Sequence, residues 1–70
     1  MMYTVYCKIE GGIPLKVESF ETLEDAKAGL DKGVEHMSKA NVFTTKKFDE
    51  KTELYFQDGN RFATIYLSED

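Results

Sequence analysis

The spacing of apolar residues changes twice along this chain, and this change constrains the fold more than any other feature. Apolar and polar residues alternate over residues 3–9 and again over residues 13–17, which predicts two half-buried strands. Over residues 23–37 the apolar positions recur every three or four residues, which predicts an amphipathic helix. The later segments return to strand-like composition. We therefore expect an α+β fold of order ββαβββ, with one amphipathic helix packed on one face of a mainly antiparallel five-stranded sheet.

The first two predicted strands are joined at Gly11 and Gly12, which can supply the positive φ angles of a tight turn. A three-residue loop over residues 10–12 keeps apolar residues opposite one another, whereas a two-residue loop would set apolar side chains opposite charges. We therefore predict the three-residue loop. The pairs that it forms are Ile9 with Ile13, Cys7 with Leu15, Val5 with Val17, and Tyr6 with Lys16.

The predicted helix begins after Thr22, whose hydroxyl can cap the first turn, and Asn41 is expected to end it. Its buried stripe is formed by Leu23, Ala26, Leu30, Val34 and Met37. Gly29 and Gly33 each cost about 1 kcal/mol relative to alanine inside a helix. Either they allow close packing of the helix on the sheet, or they merely weaken the helix.

The remaining segments predict three more strands. Residues 42–48 are rich in β-branched and aromatic residues, and a fourth strand follows the polar turn at residues 49–51. Asp58-Gly59 is a two-residue hairpin signal that pairs Tyr55 with Phe62 and Leu54 with Ala63. The fifth strand is expected over residues 61–67.

Length and cysteine content limit the number of domains, the stability of the core and the expected location of the protein. Seventy residues form a single compact domain, residues 1–70, whose small core rarely supplies more than about 3–5 kcal/mol of stability without additional support. Cys7 is the only cysteine, so an intramolecular disulfide is excluded and a reducing, cytoplasmic location is expected. We expect neither a secretion signal nor a membrane-spanning segment.

The net charge of −4 disfavours nucleic acid and membrane surfaces as partners, because both carry negative charge. The charge is unevenly distributed, and residues 26–51 contain six lysines against four acids. The sequence therefore predicts a local basic patch formed by Lys39, Lys46, Lys47 and Lys51.

The residue types needed for catalysis are scarce. His36 is the only histidine, and its position on the helical wheel predicts a solvated or boundary side chain rather than a general base. Cys7 is expected on the inward face of its strand, where a free cysteine acts as a small hydrophobe. We therefore expect no catalytic residues, no metal site and no cofactor, and we interpret the chain as a non-enzymatic protein.

A single helix covers one face of a five-stranded sheet, so the opposite face should be exposed. That face is predicted to carry Tyr6, Tyr55, Phe62 and Tyr66, and an aromatic surface of this size is typical of a contact site. The alternative is that the long side chains of Lys8 and Lys16 shield the rings.

Two hypotheses of function follow. The first is a small acidic protein-interaction module, an inhibitor or adaptor of the accessory type that bacteria, phages and mobile elements encode, which binds an unidentified protein and also itself as a two-fold homodimer. The alternative is a single-stranded nucleic-acid binder that stacks bases on the aromatic sheet face and holds phosphates with the basic patch.

Overall fold

The computed structural model describes residues 1–40 and 43–69. Asn41, the predicted helix end, and Val42, where the third strand was expected to begin, lie outside the described residues. The elements follow the predicted order ββαβββ. They are β1 (Tyr3–Ile9), β2 (Leu15–Phe20), α1 (Leu23–Ala40), β3 (Thr44–Lys47), β4 (Lys51–Tyr55) and β5 (Arg61–Glu69).

The five strands form one sheet in the order β2-β1-β5-β4-β3, and every neighbouring pair is antiparallel. The first and last strands of the chain, β1 and β5, therefore pair in the middle of the sheet, while β2 and β3 are the two edges. Helix α1 lies on one face of this sheet, mainly against β5, β1 and β2. The predicted α+β architecture is confirmed.

The core forms where α1 crosses the middle of the sheet. Its buried side chains are Val5, Leu30, Leu54, Ala63 and Ile65. The strand members of this set alternate with residues of the opposite face, and Leu30 belongs to the predicted helix stripe. The side chain of Leu30 is only 2% exposed, so the placement of the helix face is confirmed.

The start of α1 follows the predicted capping. The Asp25 amide donates a hydrogen bond to the Thr22 hydroxyl oxygen at 3.1 Å, which satisfies one of the amide groups that the first turn leaves without a helical partner. Glu24 and Asp25 lie in the first turn and Lys39 in the last, which places each charge where the helix dipole stabilises it.

The β1–β2 hairpin agrees with the three-residue loop at its distal end and departs from it further along. Cys7 pairs with Leu15, and Tyr6 with Lys16, as predicted. A bulge then inserts Val17, so that Val5 pairs with Glu18 and the predicted pair of Val5 with Val17 is wrong. The pair of Ile9 with Ile13 is also wrong, because β2 begins only at Leu15. An extra residue in one strand cannot be found by matching alternation alone.

The β4–β5 hairpin contains a second bulge. Leu54 pairs with Ala63 as predicted, but Tyr55 pairs with Arg61, so the predicted pairing of Tyr55 with Phe62 is wrong. The loop is longer than a two-residue turn, since the Phe56 amide donates to the Asn60 carbonyl at 2.8 Å. Gly59 adopts φ of +92° in this loop, a region that glycine enters without strain.

Candidate functional site

The outer sheet face is the side of the sheet opposite α1, and its centre carries two stacked rings. Tyr6 and Tyr66 are paired residues on β1 and β5, with ring centroids 5.6 Å apart and ring planes 22° from parallel. Both rings are half-buried. Tyr55 lies on the same face, because Glu53, two residues before it on β4, pairs with Thr64, and Thr64 is two residues before Tyr66 on β5. The sheet thus places three of the four predicted aromatic residues on one face, and two of them, Tyr6 and Tyr66, are in contact.

Phe62 is the exception among the predicted aromatic residues. The bulge in β5 leaves Phe62 opposite no single partner, and its ring stacks on Phe43 with centroids 4.9 Å apart and contacts Phe56 at 5.2 Å. It packs against the core with Phe43. The prediction that Phe62 shares the face of Tyr6 and Tyr66 is therefore wrong, and the bulge is the physical reason.

A network of hydrogen bonds and ion pairs joins β4, β5 and the end of the β1–β2 hairpin on the outer sheet face. Arg61 donates to Glu53 at 2.9 Å and to both carboxylate oxygens of Glu10 at 3.0 and 3.1 Å, and the Tyr55 hydroxyl donates to Glu53 at 2.8 Å. The hydrogen bonds from Tyr55 and then Arg61 hold the pKa of Glu53 below its ordinary value. Arg61 likewise lowers the pKa of Glu10. The buried carboxylate of Glu53 is thereby kept charged and satisfied.

The four lysines of the predicted basic patch separate in the structure. Lys46 lies over the Tyr55 ring at 5.1 Å, and Lys51 over the Phe48 ring at 4.9 Å, so both belong to the outer sheet face. Lys39 instead forms an ion pair with Glu35 along the helix, and Lys47 forms one with Asp31. The patch was predicted from nearness in sequence, but alternation along β3 sends Lys46 and Lys47 to opposite faces.

Two other lysines join the outer sheet face. Lys8 pairs with Thr64 and Lys16 pairs with Tyr6, so both flank the stacked tyrosines. The alternation of β1 and β2 already indicated this facing, which was interpreted as shielding of the rings. The extent of this shielding depends on how exposed each lysine is. Lys16, Lys46 and Lys51 are exposed, whereas Lys8 is half-buried.

A second surface, the hairpin patch, lies on the β1–β2 hairpin, and its strand residues belong to the side of the sheet that faces α1. It comprises Ile9, Ile13, Leu15 and Val17, which are 45%, 76%, 58% and 54% exposed. The sequence predicts these residues as inward-facing partners on two half-buried strands. On β2, however, only Phe20 packs against the core, because α1 crosses the sheet beside the other end of that strand.

A groove of about 640 Å³ runs between β2 and α1 beside the hairpin patch. Its lining includes Val17, Phe20, Gly29, Gly33 and Met37. A Cβ atom at Gly29 would lie 2.4 Å from the Phe20 ring, so this glycine permits the close approach of α1 to β2. At Gly33 a Cβ atom would meet only the Ile65 methyl groups, at 3.8 and 3.9 Å. Close packing thus explains Gly29, whereas Gly33 leaves the groove open.

His36 and Cys7 also line this groove. His36 is exposed, as predicted, and Cys7 is half-buried on the inward face of β1. Burial raises the pKa of the Cys7 thiol, so its reactive thiolate form is less populated than in a free cysteine. Within residues 1–40 and 43–69, no group of three or more His, Cys, Asp or Glu side chains is placed to hold a metal ion.

In the described part of the chain, no helix has the length and apolarity needed to cross a membrane. Comparisons of this chain with protein-family models, curated proteins and solved structures find no match. The functional argument therefore depends on the two surfaces.

Proposed function

We propose that the chain is a non-enzymatic protein-interaction module whose docking surface is the hairpin patch together with the groove beside it. The observation that carries this proposal is the exposure of four aliphatic side chains on a single hairpin, β1–β2, of a 70-residue domain. Monomeric proteins rarely leave such a patch uncovered unless it binds a partner.

The groove supports the same proposal. Its floor is formed where Gly33 leaves space above Ile65, and its walls are the helix and the edge strand β2. A concave apolar surface between two rigid elements can accept an anchoring side chain from a partner, and such anchors supply most of the binding energy in protein interfaces. An inhibitor or adaptor needs this kind of surface and no catalytic group.

The proposal predicts how binding responds when the patch is made polar. Full burial of one aliphatic side chain is worth about 1.5–3 kcal/mol, and the three residues Ile13, Leu15 and Val17 are each more than half exposed. Replacing all three by threonine keeps β-branched or strand-compatible shapes and should weaken binding by about 3 kcal/mol, or roughly 100-fold.

The test is affinity capture from a lysate of the source cell, followed by titration of the captured partner with purified protein. Phe48→Ser is the matched control, because Phe48 is 46% exposed and lies outside the patch. A partner retained by the wild type and the control but lost by the triple threonine variant supports the proposal. Retention of no protein at several salt concentrations, or equal retention by the triple variant, contradicts it.

A further inference from the structure

The basic residues of this protein divide into two groups by location. Of nine lysines and arginines, four form ion pairs with carboxylates, namely Lys27, Lys39, Lys47 and Arg61. Five form no ion pair with any described residue, and four of those five lie on the outer sheet face: Lys8, Lys16, Lys46 and Lys51. Lys8 lies close enough to Glu10, and Lys51 close enough to Glu53, to lower the pKa of each carboxyl, but neither lysine forms an ion pair with it. The ammonium groups of these four lysines are therefore available to an external anion.

The outer sheet face is positive although the protein is acidic. It holds five basic residues, namely the four lysines without an ion pair and Arg61, against the carboxylates of Glu10 and Glu53. Asp49 and Glu50 border the same face, where they line a hollow with Lys51 and Tyr66. With all four carboxylates counted, the face carries a net charge of +1, and the rest of the chain carries −5 to give the total of −4. The whole-chain charge misleads here, because an approaching polyanion responds to the local potential and is oriented by it.

The rings on this face add a second kind of contact. The stacked pair of Tyr6 and Tyr66 lies at the centre of the sheet, and Tyr55 lies on β4 beneath Lys46. Nucleobases stack on exposed aromatic rings in a way that tolerates any sequence, while neighbouring lysines contact the phosphates. Five strands at about 4.8 Å spacing make a platform roughly 20 Å wide, which several nucleotides can cross.

From these observations we propose that the outer sheet face binds single-stranded nucleic acid. Bases contact Tyr6 and Tyr66, and the lysines without an ion pair hold the phosphate backbone. Lys46 covers the Tyr55 ring, so a base reaches that ring only by displacing the lysine. Duplex DNA is a poorer match, because α1, the helix that a major groove could accept, lies on the opposite face, and paired bases are not free to stack on the tyrosine rings. The site is independent of the hairpin patch, which lies on the other side of the sheet.

The test is a fluorescence-anisotropy titration with labelled dT12 and rU12 at several salt concentrations. The variant Lys46→Gln/Lys51→Gln removes two of the lysines without an ion pair from the outer sheet face. Lys39→Gln/Lys47→Gln removes the same charge from lysines that are paired with acids elsewhere, so it is the matched control. For single strands, each phosphate contact contributes about 0.7 to the slope of log K against log salt. The first variant should reduce that slope by about 1.4, and the control should leave it unchanged.

A second arm separates stacking from charge. Tyr66→Leu should weaken dT12 and rU12 binding by roughly 5- to 150-fold, as loss of one stacked base does, and should leave binding of inorganic polyphosphate unchanged. Circular dichroism and the thermal midpoint check that each variant is folded. The Ile13, Leu15 and Val17 triple threonine variant should bind dT12 as the wild type does.

Three outcomes overturn the proposal. They are no binding of dT12 or rU12 at low salt, equal loss of slope in the control, and equal loss of polyphosphate and oligonucleotide binding in Tyr66→Leu, which would make the face a simple polyanion site. Because none of these results depends on the hairpin patch, failure here leaves the proposed protein-docking function standing.

Discussion

Replacing the two helix glycines by alanine should have opposite effects on stability: Gly33→Ala should raise the free energy of unfolding, and Gly29→Ala should lower it. At Gly33 the new Cβ atom would lie 3.8 and 3.9 Å from the Ile65 methyl groups, which is ordinary van der Waals contact. Since glycine inside a helix costs roughly 0.5–1 kcal/mol relative to alanine, Gly33→Ala should raise the free energy of unfolding by about that amount. For a domain of this size the thermal midpoint should rise by roughly 2–8 °C.

Gly29→Ala should lower stability, although the helix propensity gained is the same. Its Cβ atom would approach two ring carbons of Phe20 to 2.4 and 2.6 Å, so the ring must leave its place against α1. Overpacking of this kind costs about 1–3 kcal/mol. After the gain in propensity is subtracted, a net loss of about 1 kcal/mol is expected.

A double-mutant cycle with Phe20→Leu isolates the clash. Leucine lacks the ring tip that Gly29 accommodates, so Gly29→Ala should become stabilising by roughly 0.5–1 kcal/mol in that background. Urea and thermal unfolding of the four proteins measure the coupling. If Gly29→Ala stabilises the wild type, or if the coupling is below about 0.5 kcal/mol, the close approach of α1 to β2 is wrong.

Three further changes test the core, the ion network and the helix cap. Leu30→Ala should cost about 2–5 kcal/mol, close to the whole stability of a small domain, so a wild-type thermal midpoint would contradict the placement of the helix face. The hydrogen bonds from Tyr55 and Arg61 lower the pKa of Glu53 below the ordinary value of a glutamate. Its contribution to stability is therefore complete above that ordinary pKa and is lost as the pH falls through the lower folded-state pKa; urea midpoints between about pH 5 and pH 3 should fall less steeply in Glu53→Gln. Thr22→Ala removes the cap and should cost about 1 kcal/mol in urea unfolding, whereas Thr22→Ser should cost little.

The elements of the fold were predictable because each depends on local pattern. The period of the apolar residues located the helix and strands, and Thr22 marked the start of α1 through chemistry that acts within one turn. The two bulges were not predictable, because an extra residue at Val17 or Phe62 leaves the alternation on either side almost unchanged. What decides a bulge is packing across strands, such as the stacking of Phe62 on Phe43, and this depends on the assembled fold.

The candidate surfaces were predictable to different degrees for the same reason. Tyr6 and Tyr66 followed from strand alternation, and the pairing of Tyr6 with Lys16 was anticipated. Exposure of Leu15 and Val17 was not, because alternation shows which face a residue takes but not how far the helix extends over that face. The prediction of the basic patch was wrong for a different reason. Lys39 and Lys47 form ion pairs with acids that are four or more positions away in sequence.

Self-association, if it is two-fold, should use the hairpin patch. Both sheet edges are protected from pairing: β2 carries a bulge and the core-facing charge of Glu18, and β3 has only four residues, two of them lysines. These features are known to block the addition of a strand. The outer sheet face carries an excess of positive charge, which disfavours contact with a second copy of itself, whereas the hairpin patch is apolar, and two-fold symmetry would bring the same patch of both copies together. Light scattering across a concentration series should therefore show a dimer that Leu15→Glu dissociates, because an unpaired carboxylate would be buried. Tyr66→Glu should leave the dimer intact. Dissociation by Tyr66→Glu alone would place the contact on the outer sheet face, and a single-chain mass up to millimolar concentration would exclude the dimer.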